Sequence, residues 1–120
     1  MKHAGYAVVA GFALLFSAGA VQAQEQTFTG HLVDTVCANG HAHEAGYAEK
    51  HENSCNLMPV CIKSGYSLVT AERKSLKLDD KGAELALALV RKTSREKDVK
   101  ATVVGTLEGD RISVSAITLD

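Results

Sequence analysis

The chain has 120 residues, enough for one domain, and its 13 basic and 14 acidic side chains nearly cancel to a formal net charge of −1. Without a basic patch or tail there is no electrostatic footprint for nucleic acid, and no partner of that class is expected. The longest apolar run, Val8 to Phe16, is shorter than the roughly 20 residues a membrane-crossing helix needs.

That run follows a short basic start, Met1-Lys2-His3, and precedes Val21-Gln22-Ala23, which sets small residues at the −3 and −1 positions of a cleavage site. The arrangement predicts a secretory signal peptide over residues 1–23, cut after Ala23. The expectation is a periplasmic or secreted protein with no membrane insertion after cleavage, and a single mature domain over residues 24–120. A domain this small has a modest hydrophobic core, and export makes a disulfide available to it.

From Thr27 the sequence TFTGHLVDTV alternates, with Phe28, Leu32 and Val36 on one face and Thr29, His31, Val33 and Thr35 on the other. A period of two predicts a strand, with His31 solvated and Gly30 marking a bend or bulge. Asp34 falls at its end, as a cap for the turn that follows. Ala38 to Gly40 reads as that turn, because Asn39-Gly40 is a breaker pair. His43 to Cys55 is rich in Ala, Glu and Lys and free of proline, which predicts a short exposed helix ending before Pro59. Val60 to Lys63 is a second short turn, closed by Ser64-Gly65.

Tyr66 to Ala71 and Ser75 to Leu78 read as the next two strands, separated by the polar turn Glu72-Arg73-Lys74. Asp79 then offers an N-cap, and Leu85, Ala86, Leu89 and Val90 recur at helical spacing with Arg91 and Lys92 at the end, where they favour the helix dipole. The alternation of Leu85, Leu87 and Leu89 also fits a strand, but the length and alanine content favour a helix. Two strands close the chain around the turn Glu108-Gly109-Asp110, and a phase change at Ala116 predicts a β-bulge. The fold class is therefore mainly β with helices (α+β). Five strands with a helix between the third and fourth give the order of an OB-like Greek-key barrel, with a Cys/His-rich insertion at 37–63 after the first strand. A β-sandwich with one covering helix is the competing architecture.

The insertion carries the candidate chemistry. Between His41 and Cys61 lie His41, His43, His51, Cys55 and Cys61, with Cys37 just before them. Three cysteines allow one disulfide and one free thiol. Bridging Cys37 to Cys61 closes a loop of about 25 residues, for which chain entropy predicts ~3 to 4 kcal/mol. Cys37 to Cys55 does nearly as well, so Cys37, Cys55 and Cys61 all stay disulfide candidates.

On the predicted helix His51 and Cys55 are four apart and share a face, and the H-x-H of His41 and His43 adds two imidazoles from the preceding loop. Imidazole with thiolate suits copper or zinc, so the metal candidates are His41, His43, His51, Cys55 and Cys61. Met58 reads as core or rim packing, with a thioether able to join a copper site. Two other readings of the segment stand beside the metal site. In one, it is a disulfide-stabilised loop of a protein- or small-molecule-binding module without metal. In the other, it carries a redox thiol activated by a nearby histidine, although no C-x-x-C is present. No nucleophile with its base, phosphate loop or paired-carboxylate site is visible, so the expectation is a binding protein rather than an enzyme.

The run TGHLVDTVCA, then His51, Cys55 and the segment CIKSGYSLV, and the ending VVGTLEGDRISVSAI resemble a group of small exported bacterial proteins of uncharacterised function. They share a G-x-L-V-D-x-x-C start, a Cys/His-rich connection, a C-x-x-S-G turn and a closing glycine-containing hairpin. The resemblance covers nearly all of residues 24–120 and implies the small-barrel fold and export. It brings no activity and no catalytic residue to carry over.

Overall fold

The computed structural model describes residues 24–120; the expected leader and its cleavage site lie outside the described residues. The order of elements is β1 (Gln26–Asp34), α1 (Thr35–His41), α2 (Tyr47–Lys50), α3 (Asn53–Asn56), α4 (Pro59–Ser64), β2 (Tyr66–Val69), β3 (Ser75–Leu78), α5 (Asp80–Lys92), β4 (Lys100–Glu108) and β5 (Arg111–Leu119). The five strands close into a ring in the order β1-β2-β3-β5-β4, a mixed α+β architecture. Neighbours are antiparallel except β3 and β5, which run parallel where Lys77 meets Arg111 and Leu78 meets Ile112. Among the described residues no helix is long and apolar enough to cross a membrane.

β1 closes the ring by serving two partners: residues 26–31 pair with β4, and residues 31–34 pair with β2. Gly30 sits at the handover, where a Cβ would collide with the carbonyl oxygen of Val69. Its role is this close backbone approach, not the bulge expected of it. The inside of the ring is apolar, filled by Leu32, Leu68, Leu78, Val103 and Ile112. α5 covers it with a seam of Gly82, Ala86 and Val90 at i+4 spacing, all buried. Its N-cap is Asp79, whose carboxylate accepts from Gly82 N–H at 2.9 Å and from Val114 N–H at 3.2 Å, tying the helix start to β5. In the β4–β5 hairpin the register slips between Val104, opposite Ala116, and Gly105, opposite Val114. Ser115 is thus the extra residue, one position from the bulge expected at Ala116.

The connection between β1 and β2 departs from expectation in three places. Thr35 to His41 is helical, so Ala38 to Gly40 is not a turn; the capping carboxylate of Asp34 starts a helix at once, accepting from Cys37 N–H at 3.1 Å. As a result Val36 leaves the strand alternation and is exposed. The single helix expected over His43 to Cys55 is two short pieces, α2 and α3. Gly46, at φ +78°, starts the first, and His51, at φ −64° and ψ 123°, ends it in extended conformation. Local propensity loses here to tertiary bonds: Asn53 N–H donates to Glu96 O at 2.7 Å, and a β-bridge joins Glu52 to Lys97. Finally, Val60 to Lys63 belongs to the helix α4, with Pro59 in its first turn.

The whole excursion begins and ends at one point. Asp34 and Tyr66 are register partners, and Thr35 N–H donates to Gly65 O at 2.8 Å. The connection therefore lies across one end of the ring, with its first and last residues fixed by the sheet.

Candidate metal centre

The buried polar side chains among the described residues gather at this end. They are Asp34, Thr35, His51, Asn53, Asn56 and Ser67, and none of their buried oxygen or nitrogen atoms lacks a partner. Asp34 is the centre. It ends β1, has no solvent exposure, and its Oδ1 lies 2.9 Å from His51 Nε2 while Oδ2 takes the Cys37 amide.

Asn56 completes the frame. Its Oδ1 accepts from Asp34 N–H at 2.9 Å, its Nδ2 donates to Leu32 O at 3.3 Å and to Asn53 Oδ1 at 3.3 Å, and its carbonyl accepts from Tyr66 O–H at 2.6 Å. These partners fix the amide orientation. His51 Nε2 is then flanked by two acceptors, Asp34 Oδ1 and Asn56 Oδ1 at 3.1 Å, so Nε2 carries the ring proton. Nδ1 has no hydrogen-bond partner among the described residues.

The thiols adjoin the same carboxylate. One oxygen of Asp34, Cys37 Sγ and one ring nitrogen of His51 all lie within 4.8 Å of one another. A tetrahedral zinc ion with bonds of ~2.0 to 2.3 Å needs ligand atoms about 3.3 to 3.8 Å apart. The 4.8 Å that bounds the three atoms is thus about 1 to 1.5 Å above coordinating distance. Cys61 is buried on α4, near enough for the Asp34 charge to act on its thiol.

The electrostatics follow from these contacts. Burial pushes Asp34 up, but the hydrogen bonds from His51, from the Cys37 amide and from the Cys37 and Cys61 thiols outweigh it, leaving the carboxyl below its ordinary value. Burial and the Asp34 charge act the other way on the thiols, raising Cys37 and pushing Cys61 up to about 12. The same two causes raise the Tyr66 phenol to about 12, and burial with the neighbouring Cys37 raises Tyr47. Burial and the Asp34 charge thus disfavour ionisation of the thiols, while the hydrogen bonds around Asp34 favour its carboxylate form.

Of the residues expected to bind metal, His51 is in the cluster and Cys61 borders it. The other three stand apart. His41 is half-exposed and pairs with Glu44 through Nδ1 at 2.9 Å. It reaches the cluster only through Tyr47, whose ring stacks on it at 4.8 Å and tilts against His51 at 5.5 Å. His43 is exposed, and its carbonyl accepts from Arg73 at 3.3 Å. Cys55 is half-buried and close enough to Cys37 for their charges to interact, but with the helix broken at His51 it does not share a helical face with that histidine. Met58 is exposed.

All three cysteines are free, which corrects the expected disulfide; the polar network around Asp34 and Asn56 fastens the connection instead. His31 is also corrected. It is not solvated but bonded to Asp98 at 2.6 Å, holding that carboxyl below its ordinary value.

Asp34 and Cys37 as ligands, and Asn56, are not among the metal candidates the sequence offers. The first two carried a signal: an Asp N-cap places its carboxylate over the residue three positions on, so D-x-x-C at a strand end joins carboxylate and thiol. Asn56 carried none. Comparison of the chain with models of known protein families, with curated proteins and with solved structures finds no match.

Proposed function

We propose that this is a small exported protein that binds one borderline metal ion, zinc or copper, through Asp34, Cys37 and His51. The observation that carries the reading is the convergence of carboxylate oxygen, thiol sulfur and imidazole nitrogen within 4.8 Å, supplied by a strand end, a helix and an inter-helix residue. Mixed O, S and N donors suit zinc, and thiolate with imidazole also suits copper. The strand order and the parallel β3–β5 closure support an OB-like Greek-key barrel as the scaffold, and the basic, apolar and small-residue segments of residues 1–23 support export.

The chemistry of loading follows from the proton positions. Asp34 and His51 would hold the ion through a carboxylate oxygen and a ring nitrogen, and the ring nitrogen that binds would have to give up its proton. Cys37 gives up its thiol proton to become a ligand. Asn56 and Tyr66 orient the site without binding, as the partners of metal ligands commonly do.

The test is competition titration of the reduced protein with Zn(II) and Cu(I), beside Cys37→Ser. One ion per chain, bound at least about 100-fold more weakly by the variant, is the expected result. Equal affinity in the two proteins contradicts the reading. A protein- or small-molecule-binding module without metal is the alternative it would leave.

A further inference from the structure

β1 is open along part of one edge. Leu32 N–H donates to Val99 O at 2.9 Å, and the register with β4 runs unbroken from Gln26 to His31. Backbone groups of successive residues in a strand point to opposite edges, so Gly30, Phe28 and Gln26 turn theirs to β4 as Leu32 does, and Thr27 and Thr29 turn theirs the other way. On that side β2 ends at Val69, opposite His31. The turn that follows, closed by Thr70 N–H on Lys74 O at 2.9 Å, carries the chain off that line. Among the described residues the N–H and C=O of Thr27 and Thr29 have no backbone partner, and both residues are exposed. Natural strand edges are blunted by lysine, proline, a bulge or a cover. The segment QTFTG at 26–30 has neither charge nor proline, and its pairing with β4 does not slip.

A cavity of about 220 Å3 adjoins this edge, lined by Thr29, Gly30, Glu49, Thr70, Lys100 and Asp120 among others. It is smaller than the roughly 300 to 1,000 Å3 of small-molecule sites and suits a single side chain. Its cationic groups are taken: Lys100 Nζ lies 3.9 Å from Asp98, and His31 is bonded to the same carboxylate at 2.6 Å. Glu49 and Asp120 have no ion pair among the described residues, so the cavity offers uncompensated negative charge. Phe28, on the opposite face of β1 from Thr27 and Thr29, packs against the core.

We propose that this edge of β1 takes an extended segment of another protein as an added antiparallel strand, in which basic and apolar residues alternate. Thr27 and Thr29 each exchange an N–H and a C=O with the segment, which supplies affinity independent of sequence, and the side chains supply selection. A residue paired with Thr29 has its side chain on the same face as Thr29, where the cavity and its carboxylates receive a lysine or arginine. Its neighbours in the segment lie on the Phe28 face and are apolar. The proposal stands apart from the metal reading, since none of these groups belongs to that centre.

The experiment titrates the full chain by calorimetry with a capped peptide of three Val-Lys repeats, beside the same peptide with glutamate for lysine. The basic peptide is expected to bind one per chain and the acidic one not measurably. The amides that face β1 are those of the lysines, so N-methylation of the lysine amides is expected to weaken binding at least about tenfold, and N-methylation of the valine amides to change it less than about threefold. Thr27→Pro removes an N–H that the fold does not use; it is expected to melt with the parent and to bind at least about tenfold more weakly. Glu49→Gln combined with Asp120→Asn is expected to abolish the preference for the basic peptide. No binding of the basic peptide, equal binding of the acidic one, or equal effects of the two methylation patterns overturns the proposal. So does a dimer in sedimentation that Thr27→Pro dissolves, because the edge is then occupied by a second copy of the chain. If Thr27→Pro does not fold, the methylated peptides decide the question on the unaltered protein.

Discussion

The interior of the strand ring and the connection across its end are held together by opposite means. Inside, Leu32, Leu68, Leu78, Val103 and Ile112 pack without a polar atom among their side chains, and their contribution is the transfer of apolar surface from water. Across the end, Asp34, His51, Asn53 and Asn56 are just as buried, and short helices of 4 to 7 residues that could not stand alone are fixed by hydrogen bonds. An apolar interior tolerates exchange of similar side chains; a buried polar network has one arrangement, and removing one member strands the rest. The region with the stricter geometry is the one that brings Asp34, Cys37 and His51 close enough to hold a metal ion.

That contrast can be broken at its centre. Asp34→Ala deprives His51 Nε2 and the Cys37 amide of their acceptor, and is expected to destabilise the fold by about 3 to 5 kcal/mol as well as abolish metal binding. Denaturant unfolding and zinc titration measure the two effects. Leu68→Ala is expected to cost a comparable ~2 to 5 kcal/mol through the cavity it leaves, yet to bind zinc within about threefold of the parent at a temperature where both are folded. If both substitutions damage binding equally, the two regions are not energetically distinct.

Asn56→Ala is next in size. It leaves the Asp34 amide and the Leu32 carbonyl without their side-chain partners, and the expected cost is about 2 to 3 kcal/mol. In a domain of this size that is a fall in melting temperature of roughly 10 to 20 °C.

The pH dependence separates the regions without mutation. Asp34 has its folded pKa depressed, so its stabilisation is present above the unfolded value of about 3.9 and is lost as pH falls through the folded one. Cys61 has its folded pKa raised to about 12. Its contribution is full below the unfolded value of about 8.5 and is lost as pH rises toward the folded one. Denaturation midpoints are expected to fall at both extremes, and Cys61→Ala to remove part of the alkaline fall alone. Metal affinity follows the Cys37 proton: each pH unit between about 6 and 8 is expected to strengthen binding about tenfold. The smallest effect belongs to His41→Ala, which breaks an exposed pair with Glu44. It is expected to change stability by no more than about 0.5 kcal/mol and to leave zinc affinity unchanged.

What the sequence makes legible divides along the same line. β3 over Ser75 to Leu78, the Asp79 cap, α5 and the bulged closing hairpin all follow from local pattern, because period, caps and turn residues agree there with the tertiary structure. The connection does not follow, because its backbone is decided by distant partners: Glu96 and Lys97 extend the chain at 52 and 53, and Asp34 draws His51 inward. Composition located the segment and its ligand types, and His51 and Cys61 within it. It could not separate His41 and His43 from the cluster, since H-x-H spacing is the same whether or not the imidazoles face one point. Asp34, read as a cap, is one, and capping is also what sets its carboxylate beside Cys37.

X-ray absorption on zinc-loaded, reduced protein tests the centre most directly. The account predicts one zinc per chain with sulfur at about 2.3 Å and nitrogen or oxygen at about 2.0 to 2.2 Å, and loss of the sulfur shell in Cys37→Ser. A first shell of nitrogen and oxygen alone in the parent protein, or a sulfur shell that survives in Cys37→Ser, would contradict it.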